Sequence, residues 1–424
     1  MKIFKFGGAS VKDATAVKNV ASILSSFKNG QLIVVVSAMG KTTNALERLT
    51  DAFYFGKEDP AAVLDEIRKY HFDIIQELFP DKNHAIYTTI HNCFVELEWA
   101  LEDAPTHSYD CEYDQIVSMG EIISTHIVAA YAKETGLKAK WLDVRDYIKT
   151  DETYREGKVD WKQTEHEIQN KLLPLFGNEQ ELICITQGFI GVTSENFTTT
   201  LGREGSDYTA AIMAYCTNAE SVTIWKDVPG VLNADPKWFD DTRLISQLTY
   251  QDAIELTYYG ATVIHPKTIK PLQNKHIPLF VRSFLDPAKE GTKIHDVQVP
   301  LPIPCFIFKV NQVLISISPR DFSFIVEENL SGIFNTLFRH GVKINTMQNS
   351  ALSFSICVDN NERKIPALIE ELKKSYRVLY NENLELVTIR YYDQATLDRV
   401  TVGKNIILEV KSRYTAQMVM KDKS

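Results

Sequence analysis

Short apolar runs recur along residues 1–293, separated by helical patterns, and this alternation limits the architecture more than any other feature of the chain. "KIFKF", "QLIVVVSA", "AKWLDV", "LICITQGFIG", "SVTIWKDV" and "IPLFVRSF" are rich in β-branched and aromatic residues and bounded by turn formers, the signature of buried strands. Between them, Val17, Val20, Ala21, Leu24 and Phe27 repeat at helical spacing, as do Ile123, Ile127 and Ala130. Strands alternating with amphipathic helices predict an α/β fold, an open and mainly parallel sheet sandwiched by helices. Ligands bind such sheets beyond the carboxyl ends of the strands.

The pattern breaks at "DPAKEGTKIHDVQVPLPIPC", which is rich in proline and polar residues and lacks periodicity, so we read a boundary there between domains 1–293 and 294–424. Beyond it come "FIFKVNQVLISIS", a helix with Leu330, Ile333, Phe334, Leu337 and Phe338 inward, and the strands "KINTMQ" and "LSFSICV". A second helix carries Ile365, Leu368, Ile369 and Leu372, and "RVLY" and "LELVTIRYY" follow. That is the β-α-β-β-α-β order of a ferredoxin-like α+β module. The tail "NIILEVKSRYTAQMVMK" adds two strands, whereas "DQATLDRVT" before it is too short for a full helix, so the last module reads as truncated.

At 424 residues the chain exceeds one ordinary core. A net charge of −9 without a block of lysines or arginines argues against nucleic acid or an anionic membrane as partner. No apolar run approaches the roughly 18 residues needed to cross a bilayer, and the N-terminus lacks a signal-peptide core. Six scattered cysteines without a C-x-x-C pair suggest neither a zinc site nor a disulfide framework, so a reduced cytoplasm is the expected home.

The first strand ends in "KFGGAS", where two glycines permit close approach of a ligand or a second backbone, or simply form a turn. "SAMGKTTN" contains Gly-Lys-Thr, but Val35 stands where a P-loop needs its first glycine, and no G-x-G-x-x-G follows a strand. What remains is a loop of small hydroxyl residues suited to a small polar molecule. In "TTTLGREGSDYTAA", Arg203 lies among glycines before Ser206 and Asp207 at a helix start. Either of the latter serves as an N-cap, and the arginine suits a carboxylate or phosphate. "WKDVPGVLNADPK" reads as a polar strand-to-turn segment. Glu121 in "SMGEIIST" lies near a helix start, where the dipole alone accounts for an acid. His265 in "YGATVIHPKTI" reads as structural rather than catalytic.

In this order the motifs resemble those of the aspartokinases, of the amino-acid kinase superfamily. The resemblance implies the amino-acid kinase fold followed by paired ACT modules, the first (about 313–383) inserted within a shortened second (304–312 plus 384–424). It implies transfer of the γ-phosphoryl group of ATP, with Mg²⁺, to the β-carboxylate of L-aspartate, giving 4-phospho-L-aspartate and ADP. This is the first step towards lysine, threonine, methionine and diaminopimelate. Lys5 and Asp207 would be catalytic, and Ser37, Thr43, Glu121 and Arg203 would hold aspartate. Lys5, Gly7, Gly8, Ser206, Lys226, Asp227, Asp235 and Lys237 would serve the nucleotide and its phosphates. No metal ligand is assigned directly; Mg²⁺ would accompany ATP near Asp207. Asn345 and Ser350 are candidate effector contacts, and a homodimer through the ACT modules is expected. A fused homoserine dehydrogenase is not.

The chain departs from the family pattern at Glu204 (commonly Gly), Lys226 (Thr), Leu232 (Tyr) and Thr262 (Lys). A carboxylate at 204 must point away from the phosphates or be paired, and Lys226 is the candidate replacement for the cation missing at 262. The helix expected to cradle an effector carboxylate begins Glu327-Glu328-Asn329-Leu330 instead of Gly-Phe-Leu, and Asn345 and Ala351 stand where acids would meet an ammonium. Weak or altered inhibition by lysine is therefore expected. The alternatives are another amino-acid kinase, acting on glutamate, acetylglutamate or carbamate, and a non-catalytic ACT amino-acid sensor.

Overall fold

The computed structural model describes every residue except 28–29, 178–180, 262–263, 298–302, 322 and 424. The chain forms two compact units, one of Met1–Val231, Leu244–Ile254 and Val263–Gln298, the other of Leu232–Arg243, Glu255–Thr262 and Val299–Ser424.

In the first unit, β1 (Lys2–Phe6), α1 (Ala14–Ser26) and β2 (Leu32–Val36) are followed by α2 (Thr42–Phe55), α3 (Pro60–Leu78), α4 (Ala85–Glu102), α5 (Tyr109–Val117) and α6 (Met119–Glu134). Then come β3 (Ala139–Leu142), α7 (Trp161–Glu167), β4 (Ile183–Gln187), β5 (Ile190–Val192), β6 (Thr198–Thr200), α8 (Gly205–Thr217), β7 (Ser221–Lys226) and β8 (Gln247–Leu248). The helix α9 (Tyr250–Tyr259) has residues in both units, and α10 (Pro266–Asn274), β9 (Leu279–Ser283) and β10 (Thr292–Ile294) return to the first. Eight strands form one sheet in the order β3-β4-β2-β1-β7-β9-β10-β8. Every pair in it is parallel except β9 with β10. All five residues of β2 and of β4 are buried, because helices cover both faces.

Two readings need correction here. "LICITQGFIG" is not one strand: it breaks at Gly188 and Phe189, the latter at φ 69°, and resumes as β5 in a separate two-stranded ribbon with β6. The segment read as an aperiodic junction contains β10; its residues 298–302 lie outside those described.

The second unit holds β11 (Cys305–Pro319), α11 (Glu327–Arg339), β12 (Ile344–Asn349), β13 (Phe354–Asp359), α12 (Lys364–Leu372), β14 (Tyr376–Arg390), α13 (Gln394–Thr401), β15 (Lys404–Lys411) and β16 (Thr415–Asp422). Its antiparallel sheet has the order β12-β13-β11-β14-β16-β15. "RVLY" and "LELVTIRYY" are one strand, β14, paired along most of its length with β11 across register shifts near Lys309 and Gln312. Val313, Ile315 and Ile317 of β11 pack with Ile333 and Leu337 of α11 and with Ile365, Leu368, Ile369 and Leu372 of α12. Phe334 and Phe338, expected inside, are 42% and 83% exposed, because the buried stripe of α11 runs through Ile333 and Leu337.

"DQATLDRVT" does form a helix, α13, of two turns. Asp393 accepts the N–H of Thr396, whose hydroxyl in turn accepts the N–H of Asp393, and this reciprocal cap offsets the helix's short length. Leu397 and Val400 then pack with Phe306, Val387 and Met418, a cluster that Ala234 and Phe239 join. Among the described residues no helix follows β16.

Candidate active site

The carboxyl ends of β2, β1 and β7 lie side by side, and the residues there build a cleft of ≈ 780 Å³. On β1, Lys5 pairs in register with Val35 and Ile224, which fixes its height at the strand end. Lys5 is 8% exposed, and its Nζ lies 2.7 Å from Oδ1 of Asp207, which is 2% exposed in the first turn of α8. Lys226, the last residue of β7, places its Nζ 3.8 Å from Oδ2 of the same carboxylate. One buried acid thus stands between two ammonium groups from adjacent parallel strands.

The double glycine has a definite use at its second position. A Cβ on Gly8 would lie 2.8 Å from the carbonyl oxygen of Ala38 and 2.9 Å from that of Gly40, and Gly8 O accepts the N–H of Gly40. The loop after β2 therefore closes onto the end of β1, and a second backbone takes up the missing side chain's space. At Gly7 a Cβ would meet Lys5 Nζ at 3.4 Å, ordinary contact. Gly8→Ala is accordingly expected to displace Ala38 and Gly40 and lower kcat/KM by about a hundredfold, with a much smaller loss for Gly7→Ala. Steady-state kinetics of the two variants measures the difference.

Glu121, in the first turn of α6, is 3% exposed; its Oε1 accepts the N–H of Ala38 at 3.2 Å. Its Oε2 is buried and has no hydrogen-bond partner among the described residues. Burial pushes this carboxyl up to about 8, against the weaker pull of the Ala38 N–H and Lys5. A buried acid with a vacant oxygen is costly unless a cation meets it, and this one lines the cleft. Arg203 lines it as well, exposed and without an ion pair among the described residues.

Ser37, Thr43, Glu204 and Ser206 complete the set of singled-out residues that share this cleft with Lys5, Gly8, Glu121, Arg203, Asp207 and Lys226. Gly7, Asp227, Asp235 and Lys237 are not among its lining residues. Asp227 is exposed beyond β7. Asp235 and Lys237 belong to the second unit, where the Asp235 carboxylate accepts the N–H of Lys237 and so closes a turn. Thr262 lies outside the described residues.

Asn345 and Ser350 are also in the second unit. The Asn345 side chain accepts from Lys309 Nζ and donates to Gln312 Oε1 and Asp359 Oδ1, whereas the Ser350 hydroxyl bonds within the turn to Ser353. Five residues apart along extended chain, they are separated by roughly 16 Å.

Asp114 was not singled out from the sequence. It is fully buried on α5 and accepts the N–H of Arg155 (2.9 Å) and both the N–H and hydroxyl of Thr200 (2.8 and 2.7 Å), two residues that line the cleft. Burial pushes its carboxyl up to about 6. A lone acid within a helical pattern ordinarily marks a solvated face, so only the fold exposes its role. Glu204 is paired: its Oε2 accepts the N–H of His265 at 2.9 Å. His265 itself caps α10, its Nδ1 accepting the N–H of Lys267.

The chain matches the model of the amino acid kinase family over residues 1–283. It is 31% identical over 400 residues to lysine-sensitive aspartokinase 3 of Escherichia coli (strain K12), covering 91% of this chain and 86% of that one. It spans 42% of the length of the bifunctional aspartokinase/homoserine dehydrogenase 2 of Arabidopsis thaliana, which it also matches. Among solved structures, E. coli aspartokinase III in complex with lysine and aspartate (T-state) superposes with a TM-score of 0.83 at 29% identity, covering 99% of this chain and 95% of that one. The same enzyme in complex with aspartate and ADP (R-state) gives 0.80 at 28% identity, covering 99% and 96%. With its parallel sheet, its lysine–aspartate–lysine cluster and these matches, the chain belongs to the amino acid kinase family, among the aspartokinases.

Proposed function

We propose that this cleft transfers the γ-phosphoryl group of ATP to the β-carboxylate of L-aspartate, and the observation that carries the reading is the composition of its lining. Asp207 holds Lys5, and Lys226 at longer range, at one part, while Glu121 and Arg203 offer a carboxylate and a guanidinium to a zwitterion. No histidine lines the cleft, and the reaction needs no base, because a carboxylate is already ionised at neutral pH. An oxygen of the β-carboxylate attacks phosphorus, the bond from phosphorus to the β,γ-bridging oxygen breaks, and ADP leaves with the electron pair. No proton is moved. Lys5 neutralises charge on the transferring group, with Asp207 fixing its position. Glu121 takes the substrate ammonium, Arg203 a carboxylate, and Ser37 and Thr43 hydrogen-bond the amino acid. Ser206, Lys226 and the backbone at Gly7 and Gly8 serve the phosphates; Asp227, Asp235 and Lys237 are retained as nucleotide contacts on the family resemblance alone.

No group of three or more His, Cys, Asp or Glu side chains able to hold a metal is present among the described residues. Mg²⁺ would arrive on the triphosphate, as it is usually bound, with Asp207 the carboxylate at hand. Its charge would add to that of the lysines. No described helix is long and apolar enough to cross a membrane, and we place the enzyme in the cytoplasm as a homodimer joined through its ACT modules. A coupled assay with aspartate, glutamate, acetylglutamate and carbamate tests the acceptor: turnover with aspartate alone is expected, and turnover with acetylglutamate or carbamate in its place would overturn the assignment.

Regulation follows from α11. Its first turn carries Glu327 and Glu328, and Asn329 accepts the N–H of Val326. Two carboxylates at a helix N-terminus repel the carboxylate of an amino-acid effector. Lysine is therefore expected to leave activity unchanged up to millimolar concentration, measured alongside threonine and methionine by inhibition and calorimetry. Micromolar inhibition by lysine, lost on substituting Asn345 or Ser350, would show that a lysine pocket survives.

A further inference from the structure

Glu204 adopts the left-handed conformation (φ 55°, ψ 29°) immediately before α8, which glycine takes freely and a residue with a Cβ does not. Its side chain makes no capping bond to α8. The carboxylate instead reaches the N-cap of α10, where Oε2 accepts the backbone N–H of His265 at 2.9 Å. The helices α8 and α10 pack together, and their far ends are also tied, since Lys275 Nζ donates to Tyr215 O and Asn218 Oδ1, both at 2.7 Å. The pair is fastened at both ends.

The same residue closes the first turn of α8, because the carbonyl of Glu204 accepts the N–H groups of Asp207 and Tyr208, each at 3.1 Å. Arg203 precedes it directly. The turn has little room to relax, since a Cβ on the adjoining Gly205 would lie 2.6 Å from Phe189 Cδ2.

We propose that Glu204 is a positioning residue for phosphoryl transfer. Its carboxylate fixes the first turn of α8 against the start of α10, and through that turn sets how Asp207 meets Lys5 and how Arg203 enters the cleft. The kinetic consequence rests on the phosphotransferase reading above; the clamp itself does not. If the bond had no such role, glycine would serve at least as well, because it removes the backbone strain.

Full-length Glu204→Gly and Glu204→Gln decide the matter through hydrogen–deuterium exchange, thermal unfolding and steady-state kinetics. In Glu204→Gly, exchange at the His265 amide, read in a peptide that begins several residues before it, should rise by about tenfold and kcat should fall by about tenfold, with KM for ATP within about twofold. Its Tm should be no lower than wild type, as the strain is gone. Glu204→Gln, whose amide oxygen can still accept the His265 N–H, should recover most of kcat and all of the protection. Unchanged exchange or wild-type kcat in Glu204→Gly would overturn the proposal. So would a Glu204→Gln as slow as Glu204→Gly, which would mean that the charge itself acts. A wild-type enzyme inert towards aspartate would sink the substrate reading alone, with the exchange arm still testing the clamp.

Discussion

Lys5→Met is expected to lower kcat by about a thousandfold or more while KM for aspartate stays within about threefold. The reason is where Lys5 stands. Its ammonium group is buried and held by Asp207 at the end of the central strand, in the cleft that Glu121 and Arg203 also line. On the proposed function a cation so placed acts on charge that develops during transfer, so its loss should appear in turnover and not in amino-acid affinity. Methionine keeps most of the length of the side chain but leaves Asp207 buried with only Lys226, at 3.8 Å, as its ionic partner among the described residues. The variant should therefore melt earlier, since breaking a buried pair costs about 3–5 kcal/mol. Asp207→Asn added to Lys5→Met should restore much of that stability and none of the turnover. A single variant within a few-fold of wild-type kcat would remove Lys5 from the mechanism.

Glu121→Gln is expected to raise KM for aspartate by about a hundredfold, the equivalent of losing one charge-assisted hydrogen bond of roughly 3 kcal/mol. It also changes the pH profile. In the free enzyme burial holds the Glu121 proton up to about pH 8, whereas the role proposed for Glu121, meeting the substrate ammonium, needs the ionised form. kcat/KM for aspartate should thus climb with pH, pass half its maximum near 8 and level off above it, while kcat, measured with the ammonium in place, should lack that limb. Glu121→Gln should lose the limb altogether. Stability gives an independent check. Between the ordinary carboxyl value of 4.5 and about 8 the folded state keeps a proton that the unfolded state releases. Stability of the ligand-free enzyme must then fall as pH rises through that window, and Glu121→Gln should flatten the fall. An unchanged KM for aspartate, with ATP binding impaired, would invert the map of the cleft.

The central strands were legible because both faces are covered, which leaves continuous apolar runs such as Leu32–Val36. The break at Phe189 was not, since nothing in the sequence marks a phenylalanine for positive φ. The helix α13 was missed on length, although Asp393 and Thr396 carried the cap that sustains it. Phe334 and Phe338 fit a helical period as well as their buried neighbours do, and only the position of the sheet decides which stripe is covered. At the site, Lys5, Glu121, Arg203 and Asp207 lie in motifs that could be read one by one, and the fold gathers them into one cleft. Glu204 could be recognised as a departure, but its partner His265 is 61 positions away, and the pairing emerges only in three dimensions. Asp114 had no sequence signal at all.

The acceptor chemistry is tested most directly by incubating the enzyme with ATP, Mg²⁺ and L-aspartate in the presence of hydroxylamine, which converts an acyl phosphate to a stable hydroxamate. The expected result is aspartate-dependent β-hydroxamate formed in step with ADP, and abolished in Lys5→Met. ADP released at the same rate without aspartate, or hydroxamate formed from another acceptor and not from aspartate, would contradict the account.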